Sequence, residues 1–74
     1  AKVWKRWMGN VNEGNCFCCK NIKIDSFNFA CGHVIPKHYN GETIPDNLRP
    51  ICTTCNSSMG IKNMNEYMKN NGFI

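Results

Sequence analysis

The sequence contains no apolar run approaching ~20 residues, which is the length that a membrane-spanning helix needs. Residues 1–7 are basic and aromatic, and they lack the apolar stretch of a secretory signal peptide. No internal repeat and no domain boundary are visible along the chain. We therefore predict a single small domain over residues 1–74, with no membrane partner.

The chain also lacks an initiator methionine, because position 1 is alanine. This start predicts a processed product or a domain of a longer protein, whose remainder would then be a partner. The chain has 74 residues. A domain of this length buries only ~60% of the surface that its unfolded form exposes. Domains of this size usually need disulfides, a metal or a partner to be stable.

The six cysteines show where that additional stability comes from. They could all pair as disulfides in a secreted scaffold. Against this, four of them form two C-x-x-C pairs: Cys16 with Cys19, and Cys52 with Cys55. Two intervening residues let a tight turn direct both sulfurs to one tetrahedral ion at ~2.3 Å. We predict one structural Zn²⁺ on these four cysteines. Cys18 and Cys31 then remain free thiols, which fits a reducing intracellular compartment.

The formal net charge is +4, and four thiolates with one Zn²⁺ would reduce it to about +2, which is compatible with a nucleic-acid partner. The distribution of the basic residues is more suggestive than their number. They gather at the start of the chain and around the cysteine pairs: Lys2, Lys5, Arg6, Lys37, Arg49 and Lys62. We predict that these six residues contact nucleic acid. The alternative is that they are scattered lysines and arginines that keep the surface hydrated.

Periodicity predicts short elements at both ends of the chain. Apolar residues recur at helical spacing from Val3 to Met8, and a polar loop follows over 12–15. Residues 61–68 carry a second apolar stripe that includes Ile61, with Asn63 and Glu66 placed as a capping box. Gly72 is placed to end that helix.

Between these ends, alternation predicts strands over 21–24 and 27–29 and a further strand that ends before Pro36. Residues 38–47 have turn signals and no periodicity, so we predict a loop there. The second cysteine pair should open a helix that winds until Gly60. Cys31 is expected to be a small buried residue.

The segment between the two cysteine pairs carries a recognisable order of residues. It is 32 residues long, whereas a zinc ribbon separates its pairs by only ~15–20 residues. Within and after it, the chain presents Gly32-His33-Val-Ile-Pro36, then Gly41, then Asn47-Leu48, then Cys52-x-x-Cys55-Asn56. This order resembles the HNH endonuclease family, in the subgroup whose ββα-metal site is braced by a four-cysteine zinc. The run over 56–60 with Asn63 and Met64 resembles HNH-like domains of giant DNA viruses.

The resemblance covers residues 16–68 and implies a fold. We expect a small α+β zinc-stabilised domain, a treble-clef-like ββα-metal module with short flanking helices. Its parts would be an N-terminal helix and loop (1–15), the zinc and HNH-like core (16–60) and a C-terminal helix (61–74). The resemblance also implies a nucleic-acid partner, DNA rather than RNA. If the parent protein is viral, the location would be the host cell or the virion.

The resemblance further assigns roles to three residues. His33 would be the general base that deprotonates a water for attack on a phosphodiester, which suits an imidazole. Asn47 would tether the loop and orient that histidine. Asn56 would hold a catalytic Mg²⁺ or Mn²⁺. His38 lies in the polar loop, where a surface position or a phosphate contact is expected.

Gly32 departs from the family pattern, in which an aspartate or histidine at this position ligates the catalytic metal. Hard divalent cations are bound by oxygen ligands, carboxylates above all, and the amide of Asn56 supplies only one oxygen. We therefore predict weak or lost catalysis. If a carboxylate was lost here, Gly32→Asp should raise the affinity for divalent cations.

Three classes of function remain open from the sequence: a nucleic-acid-binding module with weak or no catalysis, an active metal-dependent nuclease, and a structural or protein-interaction zinc module of a larger protein, viral or not. Divalent-cation-dependent cleavage separates the second class from the first. Salt-dependent affinity for DNA separates the first class from the third.

The zinc assignment leads to the first prediction. Metal binding should contribute ~10 kcal/mol or more to folding, so a strong chelator should unfold the domain and Cys52→Ser should prevent folding. Loss of circular dichroism during chelation measures the effect. A native mass spectrum showing only disulfides and no metal would contradict the assignment.

Overall fold

The computed structural model describes residues 2–74, and over that range it contains short helices, two two-stranded sheets and two 3-10 turns. In chain order the helices and strands are α1 (Lys2–Met8), β1 (Glu13–Asn15), β2 (Lys23–Asp25), β3 (Ala30–His33), β4 (Leu48–Ile51), α2 (Thr53–Met59) and α3 (Met64–Asn70). The 3-10 turns, Lys37–Tyr39 and Pro45–Asn47, both lie between β3 and β4. The predicted α+β class with short flanking helices is confirmed. None of the helices in this range is long and apolar enough to cross a membrane.

The first sheet is an antiparallel pair of β1 and β2, with Gly14 opposite Ile24. The sequence predicted a loop over 12–15, and that prediction was wrong: the strand Glu13–Asn15 has no apolar side chain and so shows no alternating pattern. Residues 27–29 do not form the predicted strand. The backbone turns there instead: the Asn28 N–H donates to the Asp25 carbonyl (3.1 Å), and the Phe27 side chain is 96% exposed.

The second sheet pairs β3 with β4 and, with α2, forms the predicted ββα unit. The strands are antiparallel, with Gly32 opposite Arg49 and His33 opposite Leu48. β3 ends at His33, and β4 lies in a segment for which the sequence predicted no strand. α2 begins directly after Cys52, whose backbone is extended, and runs to Met59. The helix starting at the second cysteine pair is therefore confirmed.

The long connection between β3 and β4 is held together by one asparagine and one glycine. Asn47 Oδ1 accepts the Ile35 N–H (2.9 Å), and its Nδ2 donates to the carbonyls of Ile35 (3.0 Å) and Glu42 (2.8 Å). At Gly41, a Cβ atom would lie only 1.7 Å from the Ile35 carbonyl oxygen. The loop therefore has a defined path, although its sequence is not periodic.

The C-terminal helix is closed at both ends by local hydrogen bonds. The side chain of Asn63 accepts the Asn65 N–H (2.9 Å), so it caps α3 without the reciprocal bond expected from Glu66. At the other end, the Phe73 N–H donates to the Met68 carbonyl (2.8 Å) and Gly72 has φ +73°. This is a Schellman termination, and the prediction for Gly72 is confirmed.

Cysteines and methionines make up much of the core. Its buried members are Trp4, Cys16, Cys18, Ile24, Ile51, Cys52, Cys55, Met59, Met64, Tyr67 and Met68. Two predicted core residues lie outside it: Ile61 is 57% exposed, and Cys31 is also exposed. Ile61 follows the end of α2 rather than lying on α3, so it does not share the apolar face of that helix.

Candidate metal centre and neighbouring pocket

The four cysteines of the two C-x-x-C pairs converge on one point. The sulfur atoms of Cys16, Cys19, Cys52 and Cys55 all lie within 4.8 Å of one another. In a tetrahedral zinc site with bonds of ~2.3 Å, the sulfur–sulfur distances are ~3.8 Å. The arrangement therefore fits a single metal ion. Three of the four side chains are buried and Cys19 is half-buried.

The first pair is shaped by a tight backbone turn. The Lys20 N–H donates to the Cys16 carbonyl (2.9 Å), and Lys20 has φ +59°. Burial opposes ionisation of the Cys19 thiol, but hydrogen bonds outweigh it. The donors are the backbone N–H groups of Asn21 and Ile22 together with neighbouring thiols, and they lower the pKa of Cys19 to about 7. The sulfur is thereby prepared for the thiolate form that binds metals.

The second pair combines a strand end with a helix start. The Cys52 N–H donates to the Cys16 sulfur (3.2 Å), and the Cys55 N–H donates to the Cys52 sulfur (3.4 Å). Burial raises the pKa of both Cys52 and Cys55. The hydroxyl of buried Tyr67 is a hydrogen-bonding neighbour of the Cys55 sulfur. Such contacts around the ligands fix their orientation and increase metal affinity.

Cys18 lies beside the cluster but outside it. Burial, with the neighbouring thiols of Cys16, Cys19 and Cys52, raises the pKa of Cys18 to about 12. The side chain is fully buried and is therefore a neutral thiol that packs as a small apolar group. The sequence prediction that Cys18 remains outside the metal site agrees with this position.

A pocket of about 200 Å³ lies between the β3–β4 hairpin and α2. His33 and Asn56, to which the family resemblance assigns roles, both line it. The other lining residues are Pro36, Lys37, His38, Met59, Gly60, Ile61 and Lys62. The lining contains no carboxylate, and residues 2–74 hold no second cluster of metal-ligating side chains besides the four cysteines.

His33 is held by a residue that the sequence reading had not singled out. Its Nε2 lies 3.0 Å from Thr43 Oγ1. Thr43 follows Glu42, whose carbonyl accepts a hydrogen bond from Asn47. Asn47 thus tethers the loop that contacts His33. Thr43 carries no sequence signal, because it is one polar residue in an aperiodic loop.

Gly32 faces away from the pocket and into the core. A Cβ atom at this position would lie 2.5 Å from Ile51 Cδ1 and 3.1 Å from Met64 Cε. Both side chains are essentially fully buried, at 0% and 1% exposure. Gly32 does not have a positive φ. A side chain here would therefore meet packed hydrocarbon rather than backbone strain, and it would not point toward Asn56.

The six predicted nucleic-acid contacts do not share one environment. Lys37 and Lys62 line the pocket, whereas Arg6 forms an ion pair with Asp46 (2.7 Å). The Arg49 guanidinium lies 3.6 Å from the centre of the Trp7 ring and donates to the Asp46 and Leu48 carbonyls. Arg6 and Arg49 thus join α1 to the segment before β4. Lys2 and Lys5 are exposed on α1.

Comparison with known protein families gives one match. The family model described as HNH endonuclease matches residues 16–60, which is 45 of the 74 residues. Comparisons with curated proteins and with solved structures give no match. The matched segment includes both cysteine pairs, the β3–β4 hairpin and α2.

The environment of Gly32 leads to a prediction opposite to the one drawn from the sequence. Gly32→Asp should destabilise the fold, because overpacking alone costs ~1–3 kcal/mol and burying a carboxylate costs more. We expect no gain in Mg²⁺ affinity. Thermal unfolding of the zinc-loaded variant measures the first effect and Mg²⁺ titration the second. Gly32→Ala is the control for overpacking without charge; tighter Mg²⁺ binding with unchanged stability would contradict the prediction.

Proposed function

Because the chain belongs to the HNH endonuclease family, we propose that it is a zinc-stabilised module that binds nucleic acid, with weak or lost catalysis. One observation carries this proposal. The pocket that contains His33 and Asn56 has no carboxylate in its lining. The family places a metal ligand at the position of Gly32. A Cβ atom built there would contact the side chains of Ile51 and Met64.

Zinc is the ion that best suits the four-cysteine site. Sulfur ligands in a tetrahedral arrangement select zinc or iron, and a closed set of four cysteines is typical of structural zinc. The buried position between the two C-x-x-C pairs supports a structural role. The free thiols of Cys18 and Cys31 support the proposal of a reducing compartment.

Weak catalysis follows from an incomplete set of groups. A positioned histidine contributes ~10²–10⁴-fold as a general base, and His33 is available for that role. A bound divalent cation would supply polarisation of the phosphate and stabilisation of the leaving oxygen, worth several kcal/mol. Asn56 alone offers one amide oxygen for such an ion. Two neighbouring lysines, Lys37 and Lys62, would oppose its binding.

Nucleic-acid binding is supported by the position of the basic residues. Lys37 and Lys62 line the pocket, and Lys2 and Lys5 are exposed on α1. Exposed lysines are free to neutralise backbone phosphates, which is the main source of affinity for nucleic acid. We propose DNA rather than RNA as the partner, from the family relationship.

An active nuclease is the second candidate, and one observation favours it. His33, Asn47 and Asn56 are all present, and the structure brings His33 and Asn56 to one pocket with Asn47 tethering the adjacent loop. Under this alternative, Asn56 would hold Mg²⁺ or Mn²⁺ with a ligand from outside the chain, such as substrate phosphate.

A nicking assay separates these two candidates. Supercoiled plasmid incubated with the zinc-loaded domain and Mg²⁺ or Mn²⁺ should be cleaved slowly or not at all, because the metal site is incomplete. His33→Ala is the control for residual activity by the domain itself. Efficient cleavage that His33→Ala abolishes would establish the active nuclease instead.

Salt dependence tests binding separately from cleavage. Log affinity for a DNA duplex should fall linearly with log salt, with a slope of ~0.9 per phosphate neutralised. Fluorescence anisotropy between low and physiological salt measures this slope. Affinity that is indifferent to salt would favour the third class, a structural or protein-interaction module.

A further inference from the structure

The pocket beside the metal centre is lined by basic side chains without any acidic one. Lys37 and Lys62 lie on its wall with the imidazoles of His33 and His38. Neither lysine forms an ion pair, since the one salt bridge within residues 2–74 joins Arg6 to Asp46. Two uncompensated ammonium groups at one concave site create a positive potential that attracts anions.

We propose that this pocket binds a single backbone phosphate of nucleic acid directly, through Lys37 and Lys62, without a divalent cation. The inference rests on the proposed function, because it names the group that the nucleic-acid partner inserts there. It goes beyond that function because the ammonium groups of Lys37 and Lys62 take the place of the metal ion in binding the phosphate.

The size of the pocket supports a single phosphate as its occupant. Its volume of about 200 Å³ is smaller than the ~300–1,000 Å³ of sites that enclose a whole small molecule. One phosphodiester group fits a pocket of this size. Pro36, Met59 and Ile61 contribute apolar surface to the wall, which lowers the local dielectric and strengthens a lysine–phosphate attraction.

The backbone that carries each of the two lysines is fixed by hydrogen bonds before any ligand arrives. Lys37 begins a 3-10 turn in which the Pro36 carbonyl accepts the N–H groups of Tyr39 and Gly41, each at 2.9 Å. On the other side, the Lys62 N–H donates to the Met59 carbonyl (3.0 Å) at the end of α2. Less ordering is therefore required when a phosphate binds. The Asn56 amide can add a neutral hydrogen-bond donor from α2.

The experiment compares two double variants with the same loss of charge. Lys37→Gln with Lys62→Gln removes the pocket cations, while Lys23→Gln with Lys69→Gln removes two exposed lysines from β2 and α3. Each zinc-loaded protein is titrated with a DNA duplex, without added Mg²⁺, at several salt concentrations. Thermal unfolding confirms that both variants retain the fold.

We expect the pocket variant to bind the duplex at least ~10-fold more weakly than the control variant, because charged hydrogen bonds are lost. Its log–log salt slope should decrease by ~0.9, the value for one phosphate. Added Mg²⁺ at constant ionic strength should leave the affinity of the unmodified chain unchanged or reduce it. Inorganic phosphate should shift the amide resonances of residues 37, 56 and 62 in the unmodified chain, and not in the pocket variant.

Each failure has a distinct meaning. Equal losses in the two double variants would overturn the pocket assignment and leave nucleic-acid binding intact as a general charge effect. Affinity strengthened by Mg²⁺ would also overturn it, since the pocket would then be a cation site. If the unmodified chain does not bind the duplex at all, the proposed function fails. If the chain does not bind the duplex but inorganic phosphate still shifts the amide resonances of residues 37, 56 and 62, the pocket binds free anions only. The assignment to a nucleic-acid phosphate is then overturned.

Discussion

The convergence of four cysteine sulfurs is the constraint on which the rest of this small domain depends. It joins the turn after Cys16 to the start of α2 at Cys52, two segments separated by 32 residues. Backbone hydrogen bonds reinforce the junction: the Phe17 N–H donates to the Pro50 carbonyl (3.0 Å), and the Cys52 N–H to the Cys16 sulfur. Because the β3–β4 hairpin lies between the two cysteine pairs, the same junction places that hairpin against α2.

The pocket is a consequence of this junction, and its chemistry differs between its two sides. On the core side of β3, the backbone at Gly32 packs against Ile51 and Met64. The side chains of these two residues occupy the space that a metal-binding side chain at position 32 would need. In front, the pocket wall carries Lys37 and Lys62. A site with no carboxylate and two ammonium groups favours an anion over a divalent cation. The family scaffold is thus retained while the balance of charge within the pocket is suited to holding phosphate.

Much of the architecture could be predicted because its determinants are local. A C-x-x-C pair directs two sulfurs to one point through the geometry of a few bonds, so the cysteine spacing was sufficient to predict that the four sulfurs converge. The start of α2 and the Schellman end at Gly72 likewise depend on neighbouring residues. The order of His33, Asn47 and Asn56, together with the cysteine pairs, was enough to indicate the family.

The sequence by itself determined that the domain has a four-cysteine centre, an α+β fold and a family. Only the tertiary structure decided which residues face one another across the chain. β1 has no apolar side chain and β4 contains Pro50, so neither shows a strand pattern, and they form because β2 and β3 lie beside them. The contact of Thr43 with His33 depends on the path of a loop. The direction of Gly32 depends on Ile51, a residue across the sheet. Contacts between residues far apart in the chain leave no local pattern, which is why the fold was required to reveal them.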